Sequence, residues 1–435
     1  MHGRDPTVLC SHGPSASVRA GNPCRATYAT GGHHEQAGFD VLASVEIDPV
    51  HCAVHQFNFP YGTSICRDIS SITGDEIRSL SSLEGRKVDV VCGGLPCQGF
   101  SEIGKGEASD PRNLLGQHFA RIVSELDADF FVIENVRGLK FQRNKQILDS
   151  IIESFQRYGY NIVDGLEMLN SSHFGVPQNR KRVFILGFKN GYSSPKYPHK
   201  FFNVENYQKD TLSSDCPKVT DAIGDLPEIE LYPELLKQDW VRAEYGKPSS
   251  YAAILRGLEK RSDDYSYRRL FEPSLLTCSL RTQHQDSSKK RFMQTAPGRR
   301  EPKSRLQKLD LNGFSPTLRA GTPRNYGSFT APRPIHPTKP RCITVREAAR
   351  LHSFPDWFRV HSTIWHGFRQ VGNSVPPLLA KAVASQLALT MGYEPSMPTK
   401  EFSMRNIELL SLNIQKASKI YSVDPDIIAP RKRKK

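Results

Sequence analysis

The sequence predicts an α/β protein built on a doubly wound, mostly parallel sheet, with a smaller and less regular domain inserted late in the chain. From Gly38 onward, short apolar runs alternate with stretches of helical spacing. Apolar runs of four to eight residues suit strands that are buried on both faces, as in parallel sheets. This alternation stops near residue 190 and returns near residue 341, which predicts two structural units.

Four runs are predicted to be strands: FDVLASVEI (39–47), VDVVCGG (88–94), DFFVIENV (129–136) and RVFILGF (182–188). Apolar residues recur every three or four positions from Leu115 to Leu126 and from Ile147 to Phe155, which predicts two helices. A third helix is expected at 376–391, where proline is tolerated in the first turn. Ligands of such sheets bind at the carboxyl ends of the strands.

Residues 1–34 do not fit this pattern. Only Val8, Leu9 and Val18 come from the Val, Leu, Ile and Phe set, so we expect a disordered N-terminus that supplies no buried first strand. His33, His34 and Glu35 are residue types that bind metals, but the sequence supplies no further ligand at the spacing of a metal site. We therefore predict no metal site.

The charge is unevenly distributed. The 435 residues include 59 Lys and Arg against 45 Asp and Glu, a net charge of +14. Residues 251–340 hold 18 of these cations and 7 acids, and the chain ends in RKRKK. A basic segment carrying aromatic residues is typical of a phosphate-binding surface, although a solvated face has the same composition.

Composition also excludes some classes of protein. No run of eighteen apolar residues is present, so no membrane span is predicted. The 9 cysteines lack zinc-site or disulfide spacing, which predicts reduced thiols and a cytoplasmic protein.

Three groups of residues carry chemistry. Cys97 lies on a Gly- and Pro-rich loop after a predicted strand, where a thiol can become nucleophilic, although a lone cysteine is more often a buried apolar residue. Glu134 ends the next predicted strand and is expected at the same edge, as a general acid or as a helix cap. Arg180 and Arg182 precede a strand at alternate positions, and guanidinium groups there can donate to a base oxygen or a phosphate.

Five motifs together resemble the cytosine-C5 DNA methyltransferases of bacterial restriction-modification systems: GLPCQGFS, FFVIENVRGL, QNRKRVFILG, TVREAARLHSFPDWF and QVGNSVPPLLAKAV. The resemblance implies a Rossmann-like methyltransferase domain at 35–189 plus 341–392 and a target-recognition domain at 190–340. Residues 393–435 are then a peripheral extension with a basic tail.

The resemblance implies methyl transfer from S-adenosylmethionine to C5 of a cytosine flipped out of duplex DNA. Cys97 would add to C6, and Glu134 would bond to N3 and the exocyclic amine. Arg182 would hold the cytosine O2, with Arg180 near the backbone of the same pocket. The implied partners are double-stranded DNA and a cognate restriction endonuclease, and we expect a monomer that does not bind membranes.

The resemblance also implies binding residues, each of which has a plainer interpretation as a cap, a turn or a core residue. Glu46 would accept the ribose hydroxyls of S-adenosylmethionine. The other donor contacts are Asp68, Ile69 and Leu115 at the adenine, Gly94 and Pro96 beside the sulfonium, and Asn373, Ser374 and Val375 at the methionine end. The DNA contacts are Gln98, Ser101, Arg319 and Arg324, of which the two arginines suit either guanine edges or phosphates.

One motif of that family is absent. Its Phe-x-Gly-x-Gly donor loop belongs at about residues 22–34, where NPCRATYATGGHH stands instead, and glycine is needed there for close backbone approach. Our hypothesis is that residues 1–34 come from a shifted frame or a wrong start. Two alternatives therefore stay open: a catalytically silent DNA-binding homologue, and an RNA cytosine-C5 methyltransferase. The insert of about 150 residues favours base readout in duplex DNA over shape readout of RNA.

Overall fold

The computed structural model describes residues 7–12, 34–95, 114–202, 216–320, 333–404 and 406–427, with the backbone alone for 7–12. The first nine strands are β1 (Thr7–His12), β2 (Asp40–Glu46), β3 (Thr63–Cys66), β4 (Val90–Gly94), β5 (Phe130–Val136), β6 (Tyr160–Ile162), β7 (Glu167–Asn170), β8 (Gln178–Asn179) and β9 (Lys181–Lys189). The later strands, each of two or three residues, are β10 (Val241–Arg242), β11 (Arg268–Leu270), β12 (Leu275–Leu276), β13 (Ser315–Pro316) and β14 (Glu401–Ser403).

Eleven α-helices accompany these strands in the described part of the chain. They are α1 (Pro49–Asn58), α2 (Gly74–Ser79), α3 (Leu115–Glu125), α4 (Lys145–Arg157), α5 (Val219–Ile223), α6 (Ser250–Leu255), α7 (Asp286–Gln294), α8 (Val345–Leu351), α9 (Ile364–Asn373), α10 (Pro377–Thr390) and α11 (Ile414–Ile420). None of the helices described is long and apolar enough to cross a membrane.

The main sheet has eight strands in the order β3-β2-β1-β4-β5-β9-β6, and β7 also pairs with β9. The strands from β3 to β5 run parallel, whereas β9 is antiparallel to β5, β6 and β7. The predicted α/β sheet is confirmed as a mixed one. Because β9 runs backwards, its first residues lie beside the carboxyl end of β5, with Arg182 paired to Val136.

Strand β1 corrects the expectation that residues 1–34 supply no strand. Its backbone pairs with β2 on one side and with β4 on the other, at the centre of the sheet. The register shifts between Val8 and Leu9 on the β2 side. The physical reason is that β2 and β4 would otherwise leave two rows of buried backbone groups unpaired, and even this short strand of weakly apolar composition satisfies them. The glycine loop expected near residues 22–34 falls mostly outside the described residues.

The sheet has an apolar core on each face, as a doubly wound fold requires. Helices α2, α3 and α4 cover one face, where Phe131 stacks on Phe155 with ring centroids 3.7 Å apart. Helix α10 covers the other face, with Leu379, Val383 and Leu387 buried against β4, β5 and β9. One face of the sheet is therefore covered only when α10 packs against it.

A second core lies beside the sheet. It joins the predicted recognition domain (Val219, Tyr251, Cys278 and Leu318, among others) to residues 343–371 and to Phe59, which directly follows α1. Helices α8 and α9, predicted to belong to the catalytic domain, therefore share a core with the insert, whereas α10 packs on the sheet.

Residues after 393 pack back on the body of the protein. Strand β14 pairs with β11 of the insert, and the helical turn at Ile407–Leu410 and α11 pack against α1, with Leu410 and Ala417 buried. The extension predicted to be peripheral thus covers α1. The basic tail lies outside the described residues.

A buried ion pair joins the insert to the helical turn at Glu35–Ala37, just before β2. Arg269 donates from both terminal nitrogens to Glu35, at 2.8 and 2.9 Å, and its guanidinium lies 4.6 Å from the ring centre of Trp357. Glu35 also accepts from the Tyr267 amide at 2.8 Å. A buried carboxylate needs such partners, and Glu35 has them in Arg269 and Tyr267.

Candidate active site

The carboxyl ends of the parallel strands bring the predicted functional residues to one edge of the sheet. Glu46 ends β2, Gly94 ends β4, and Glu134 lies near the end of β5. Gly94 and Glu134 are register partners on adjacent strands. Because β1 lies between β2 and β4 and strands are about 4.8 Å apart, Glu46 is about 10 Å from Gly94 along this edge. The edge can thus hold an extended ligand on one side of Gly94 and a second reactant on the other.

Glu134 and Arg182 form the central polar pair of this edge. The Arg182 Nε lies 2.7 Å from the Glu134 Oε1, and both side chains are largely buried, with exposed fractions of 13% and 7%. Such a pair fixes the direction of the carboxylate because the planar guanidinium donates along defined lines. The antiparallel β9 makes this contact possible by starting where β5 ends. A small cavity beside Glu134 is lined by Gly93, Phe184 and Val375, among others.

Glu46 presents a buried carboxylate at the end of β2. Its Oε1 accepts from the Asp48 amide at 2.8 Å. The Oε2 accepts no hydrogen bond from any described residue and lies 3.7 Å from the Nδ1 of His51. An acceptor buried without a hydrogen bond is costly, so this oxygen is suited to accept one from a ligand hydroxyl.

Arg180 makes contacts of a different kind from those of Arg182. It is buried at 1% exposed and donates to the carbonyls of Leu318 at 2.9 Å, Gly372 at 2.8 Å and Ser374 at 2.7 Å. Alternate residues of a strand share a face, but Arg180 falls in the break between β8 and β9. The contacts of Arg180 thus join the insert to the loop before α10, and its place in the cytosine pocket stays a prediction.

Comparison with known proteins assigns the chain to a protein family. A family model described as C-5 cytosine-specific DNA methylase matches residues 31–388. This chain belongs to that family.

Relatives of this methylase family match over most of their length. The chain is 49% identical to Type II methyltransferase M.XorII of Xanthomonas oryzae pv. oryzae, over 92% of this chain and 91% of that protein. It is 31% identical to Type II methyltransferase M1.HphI of Haemophilus parahaemolyticus, over 80% and 81%. A crystal structure of a prophage-encoded E. coli protein assigned as a DNA modification methyltransferase has a TM-score of 0.67 and 29% identity, and covers 89% of this chain and 99% of that chain.

The methylase's predicted donor residues are brought together only in part. Asp68 follows β3 and accepts from the Ser70 amide at 2.9 Å, while Ile69 and Leu115 are both 1% exposed within one apolar core. Asn373 is half-buried at the end of α9, and Ser374 and Val375 are fully buried. These residues keep the positions expected of a ligand-binding edge, and their contacts to a ligand stay a prediction.

Several predicted residues of the methylase lie outside the described part of the chain: Pro96, Cys97, Gln98, Ser101 and Arg324. Arg319 is described and exposed. It lies two residues after Thr317, whose hydroxyl donates to the Asn179 carbonyl at 2.7 Å.

Sequence reasoning missed Gln178. This residue is fully buried; its Oε1 accepts from the Leu318 amide at 3.1 Å, and its Nε2 lies 2.9 Å from the Nδ1 of His352. The His352 Nε2 in turn lies 3.1 Å from the Ser374 carbonyl. Gln178 and Arg180 thus hold the same two segments. The only signal in the sequence is the polar QNR run itself, which gives no hint of burial.

Proposed function

We propose that this methylase transfers a methyl group from S-adenosylmethionine to C5 of a cytosine that is flipped out of a specific duplex DNA sequence. The observation that supports this best is the 2.7 Å pair of Glu134 and Arg182, placed one strand from Gly94. Cys97 follows Gly94 by three residues in the sequence. An acid and a guanidinium thus meet at this edge, and the proposed nucleophile belongs to the segment that follows Gly94 in the sequence. A base can reach such an edge only outside the helical stack.

The proposed nucleophile is Cys97. Addition of its thiolate to C6 forms an S–C6 bond. The electron pair of the C5–C6 double bond shifts to form a C4–C5 double bond, and that of C4–N3 moves onto N3, which takes up a proton, so C5 becomes the nucleophilic carbon of an enamine. Once C5 carries the new methyl group, loss of the C5 proton to water and departure of the Cys97 thiolate restore the double bond. The thiol is therefore regenerated in each cycle.

Glu134 and Arg182 stabilise the adduct. The Glu134 carboxyl hydrogen-bonds to N3 and supplies the proton that the ring takes up there as Cys97 adds, and it recovers this proton when the thiolate leaves. Arg182 holds Glu134 in direction through its Nε. Its Nη1 donates to the Lys181 carbonyl at 2.9 Å, and its Nη2 would donate to the cytosine O2. Burial of the pair strengthens both contacts, because the local dielectric is low.

The donor side of the edge fits S-adenosylmethionine. Glu46 Oε2 is buried and accepts no hydrogen bond from the described residues, as expected for a carboxylate that accepts from the two ribose hydroxyls. Asp68, Ile69 and Leu115 would lie at the adenine, Gly94 and Pro96 at the sulfonium, and Asn373, Ser374 and Val375 at the methionine end. When bound, this cofactor supplies an electrophilic methyl group.

Covalent trapping tests the nucleophile. DNA carrying 5-fluorocytosine at the target blocks loss of the C5 substituent, so the wild-type protein should form a stable protein–DNA adduct only when S-adenosylmethionine is present. Cys97→Ser should form none, whereas Cys216→Ser should trap normally, because Cys216 is a buried cysteine of the insert whose thiol donates to the Ser172 carbonyl at 3.5 Å, a bond that serine can also make. Equal trapping by Cys97→Ser and wild type would reject Cys97 as the nucleophile.

A second candidate function is a catalytically silent DNA-binding homologue. The specific observation is the absence of the Phe-x-Gly-x-Gly loop from residues 1–34. Calorimetric titration with S-adenosylmethionine distinguishes the two. Binding by the chain as written supports the active enzyme. Binding only after residues 1–34 are replaced by a strand and that glycine loop supports the silent homologue.

The partners proposed for the active enzyme are duplex DNA and a cognate endonuclease of the same recognition sequence, with the methylase acting as a monomer. Protection of DNA from one restriction nuclease after incubation with the protein would identify that sequence.

A further inference from the structure

His51 is a fully buried polar residue beside the proposed donor site. It is the third residue of α1 and is 0% exposed. Its Nδ1 lies 3.7 Å from the Glu46 Oε2, and its Nε2 lies 3.7 Å from the Asp48 Oδ2. One imidazole thus faces two buried carboxylates. Because 3.7 Å is too long for a hydrogen bond, both contacts are electrostatic.

The turn between β2 and α1 brings these three residues together. Asp48 caps α1, since its Oδ1 accepts from the Val50 amide at 3.1 Å. The Glu46 Oε1 accepts from the Asp48 amide at 2.8 Å. Side chains of a helix lean back toward its N-terminus, so the His51 imidazole reaches this turn. Glu46, Asp48 and His51 therefore form a closed loop of contacts, in which the imidazole joins the two carboxylates.

These contacts fix the direction of the Glu46 carboxylate. A carboxylate has about four acceptor positions, two on each oxygen. The Asp48 amide takes one position of Oε1, and the His51 imidazole faces Oε2. Each oxygen therefore keeps at least one position for a ligand. Two such positions on one carboxylate match the two neighbouring hydroxyls of a ribose.

Packing keeps water away from these contacts. The side chains of His51, Glu46 and Asp48 are 0%, 4% and 1% exposed. The helical turn at Ile407–Leu410 and α11 pack against α1, which carries His51. Because the dielectric of such a site is low, a polar group near a carboxylate acts on it more strongly than in water. Replacing the imidazole by an apolar group would remove that interaction from both carboxylates.

We infer that His51 is a positioning residue of the donor site, which holds the Glu46 carboxylate in the direction that accepts the ribose hydroxyls of S-adenosylmethionine. This inference rests on the proposed function, since it takes Glu46 as the ribose-binding residue. His51 acts through Glu46 and not through the methyl group or the cytosine. Its loss should therefore weaken donor binding and leave the chemical step nearly unchanged.

A double-mutant cycle tests this role. The dissociation constant of S-adenosylhomocysteine, the donor without its methyl group, is measured by calorimetry for wild type, His51→Leu, Glu46→Gln and the double variant. We expect His51→Leu to weaken binding about tenfold in the wild-type background and less than about twofold in Glu46→Gln, because residues that act together are not additive. A residue that only supports the fold would weaken binding by the same factor in both backgrounds.

His55 provides a matched control. It is a second buried histidine of α1, one turn further on, and its Nδ1 lies 3.1 Å from the Ser44 hydroxyl and 2.9 Å from the Ser64 hydroxyl. His55→Leu removes these contacts and should lower the urea midpoint, but it should leave the dissociation constant of S-adenosylhomocysteine nearly unaltered. An equal loss of affinity in His55→Leu and His51→Leu would overturn the inference.

A conservative variant keeps the test decisive if His51→Leu does not fold. The amide of His51→Gln can still donate to Glu46, so this variant should bind S-adenosylhomocysteine within about threefold of wild type and show the same coupling to Glu46→Gln. In methylation assays its KM for S-adenosylmethionine should rise while kcat changes by less than about twofold. A lower kcat with an unaltered KM would contradict a role in positioning the donor site.

The outcomes separate this inference from the proposed function. If Glu46→Gln weakens donor binding and neither His51 variant does, only the inference is rejected. If His51→Leu weakens binding equally in both backgrounds, His51 supports the fold alone, and the proposed donor site still stands. If Glu46→Gln binds as tightly as wild type, or wild type does not bind S-adenosylhomocysteine, the proposed donor site fails and the inference fails with it.

Discussion

At the residue scale, function depends on side chains whose partners lie far away in the sequence. Glu134 and Arg182 were both predicted from motifs, and their 2.7 Å contact follows from the reversed direction of β9, which the apolar run alone does not indicate. Arg180 shows the opposite case. Its three carbonyl partners lie on Leu318, Gly372 and Ser374, so no local pattern reveals that it is buried. The sequence thus indicates which residues carry the chemistry, whereas the contacts of those residues depend on segments far away in the chain.

Changing Glu134 to Gln tests the acid. Glutamine keeps the shape and can still accept from Arg182, but it cannot supply a proton to N3. We expect the single-turnover rate of methyl transfer to fall by about 10² to 10⁴, with little change in DNA affinity. Transfer of labelled methyl groups to DNA measures the rate. Glu167→Gln, an exposed position on β7, is the control, and a full rate in Glu134→Gln would remove this residue from the chemistry.

At the element scale, apolar runs predicted the buried strands well. The observed β2, β4, β5 and β9 lie within a few residues of the four predicted runs, and α3, α4 and α10 within a few of the predicted helices. Three of the strands of the main sheet, β3, β6 and β7, have three or four residues and were not predicted, because so short a run carries little periodicity. Strand β1 was missed because its partners are distant, and backbone pairing outweighed its weak composition.

Proline at position 10 tests whether β1 is a central strand. The Cys10 backbone is paired with Ser44 on one side and Cys92 on the other. Proline has no amide to donate and leaves a buried carbonyl unpaired, which costs about 1 to 3 kcal/mol. Urea unfolding of Cys10→Pro should therefore show a lower midpoint than that of Cys10→Val. Equal midpoints would mean that residues 7–12 do not pair on both sides in solution.

His284, which lies two residues before α7, gives a prediction about pH. Burial, together with the charges of Arg333, Arg341 and Lys289, lowers the pKa of His284 from 6.5 to about 4, and the neutral ring accepts from the Cys342 amide at 3.2 Å. The unfolded chain takes up this proton first, so the stability from His284 is fully present above pH 6.5 and is lost as the pH falls toward 4.

The measurement compares urea midpoints of wild type and His284→Gln at pH 7.5, 6 and 5. Other groups titrate in both proteins, so their contribution cancels in the difference between the two. The stability gap between wild type and variant should narrow as the pH falls. A gap that stays constant with pH would show that His284 has an ordinary pKa in the folded protein.

At the scale of the whole molecule, the insert and the sheet are held together by buried charge as well as by the second core. The Glu35 and Arg269 side chains are 2% and 0% exposed, and Arg269 lies over Trp357, which packs against the second core. Composition had marked Arg269 as part of a basic, solvent-facing segment. Its burial could not be predicted because its partner, Glu35, lies 234 residues earlier, at the start of the predicted catalytic domain.

Adjacent arginines provide a matched test of this contact. Arg269→Gln leaves the Glu35 carboxylate buried without its charge partner, which costs about 3 to 5 kcal/mol. Arg268→Gln removes only an exposed pair with Glu401, worth at most about 1 kcal/mol. Thermal and urea unfolding should therefore separate the two variants clearly. Similar losses in both would show that the Glu35 contact is not what holds the insert.

The late return of α10 has a consequence for biosynthesis. One face of the sheet is covered by α10, which follows β9 only after the whole insert and α9 have been made. While the ribosome synthesises those residues, apolar side chains of β4, β5 and β9 stay uncovered, a state in which nascent chains are prone to aggregate or to engage chaperones. Truncated translation products would then lack a finished sheet, so only chains translated past α10 would reach a folded form.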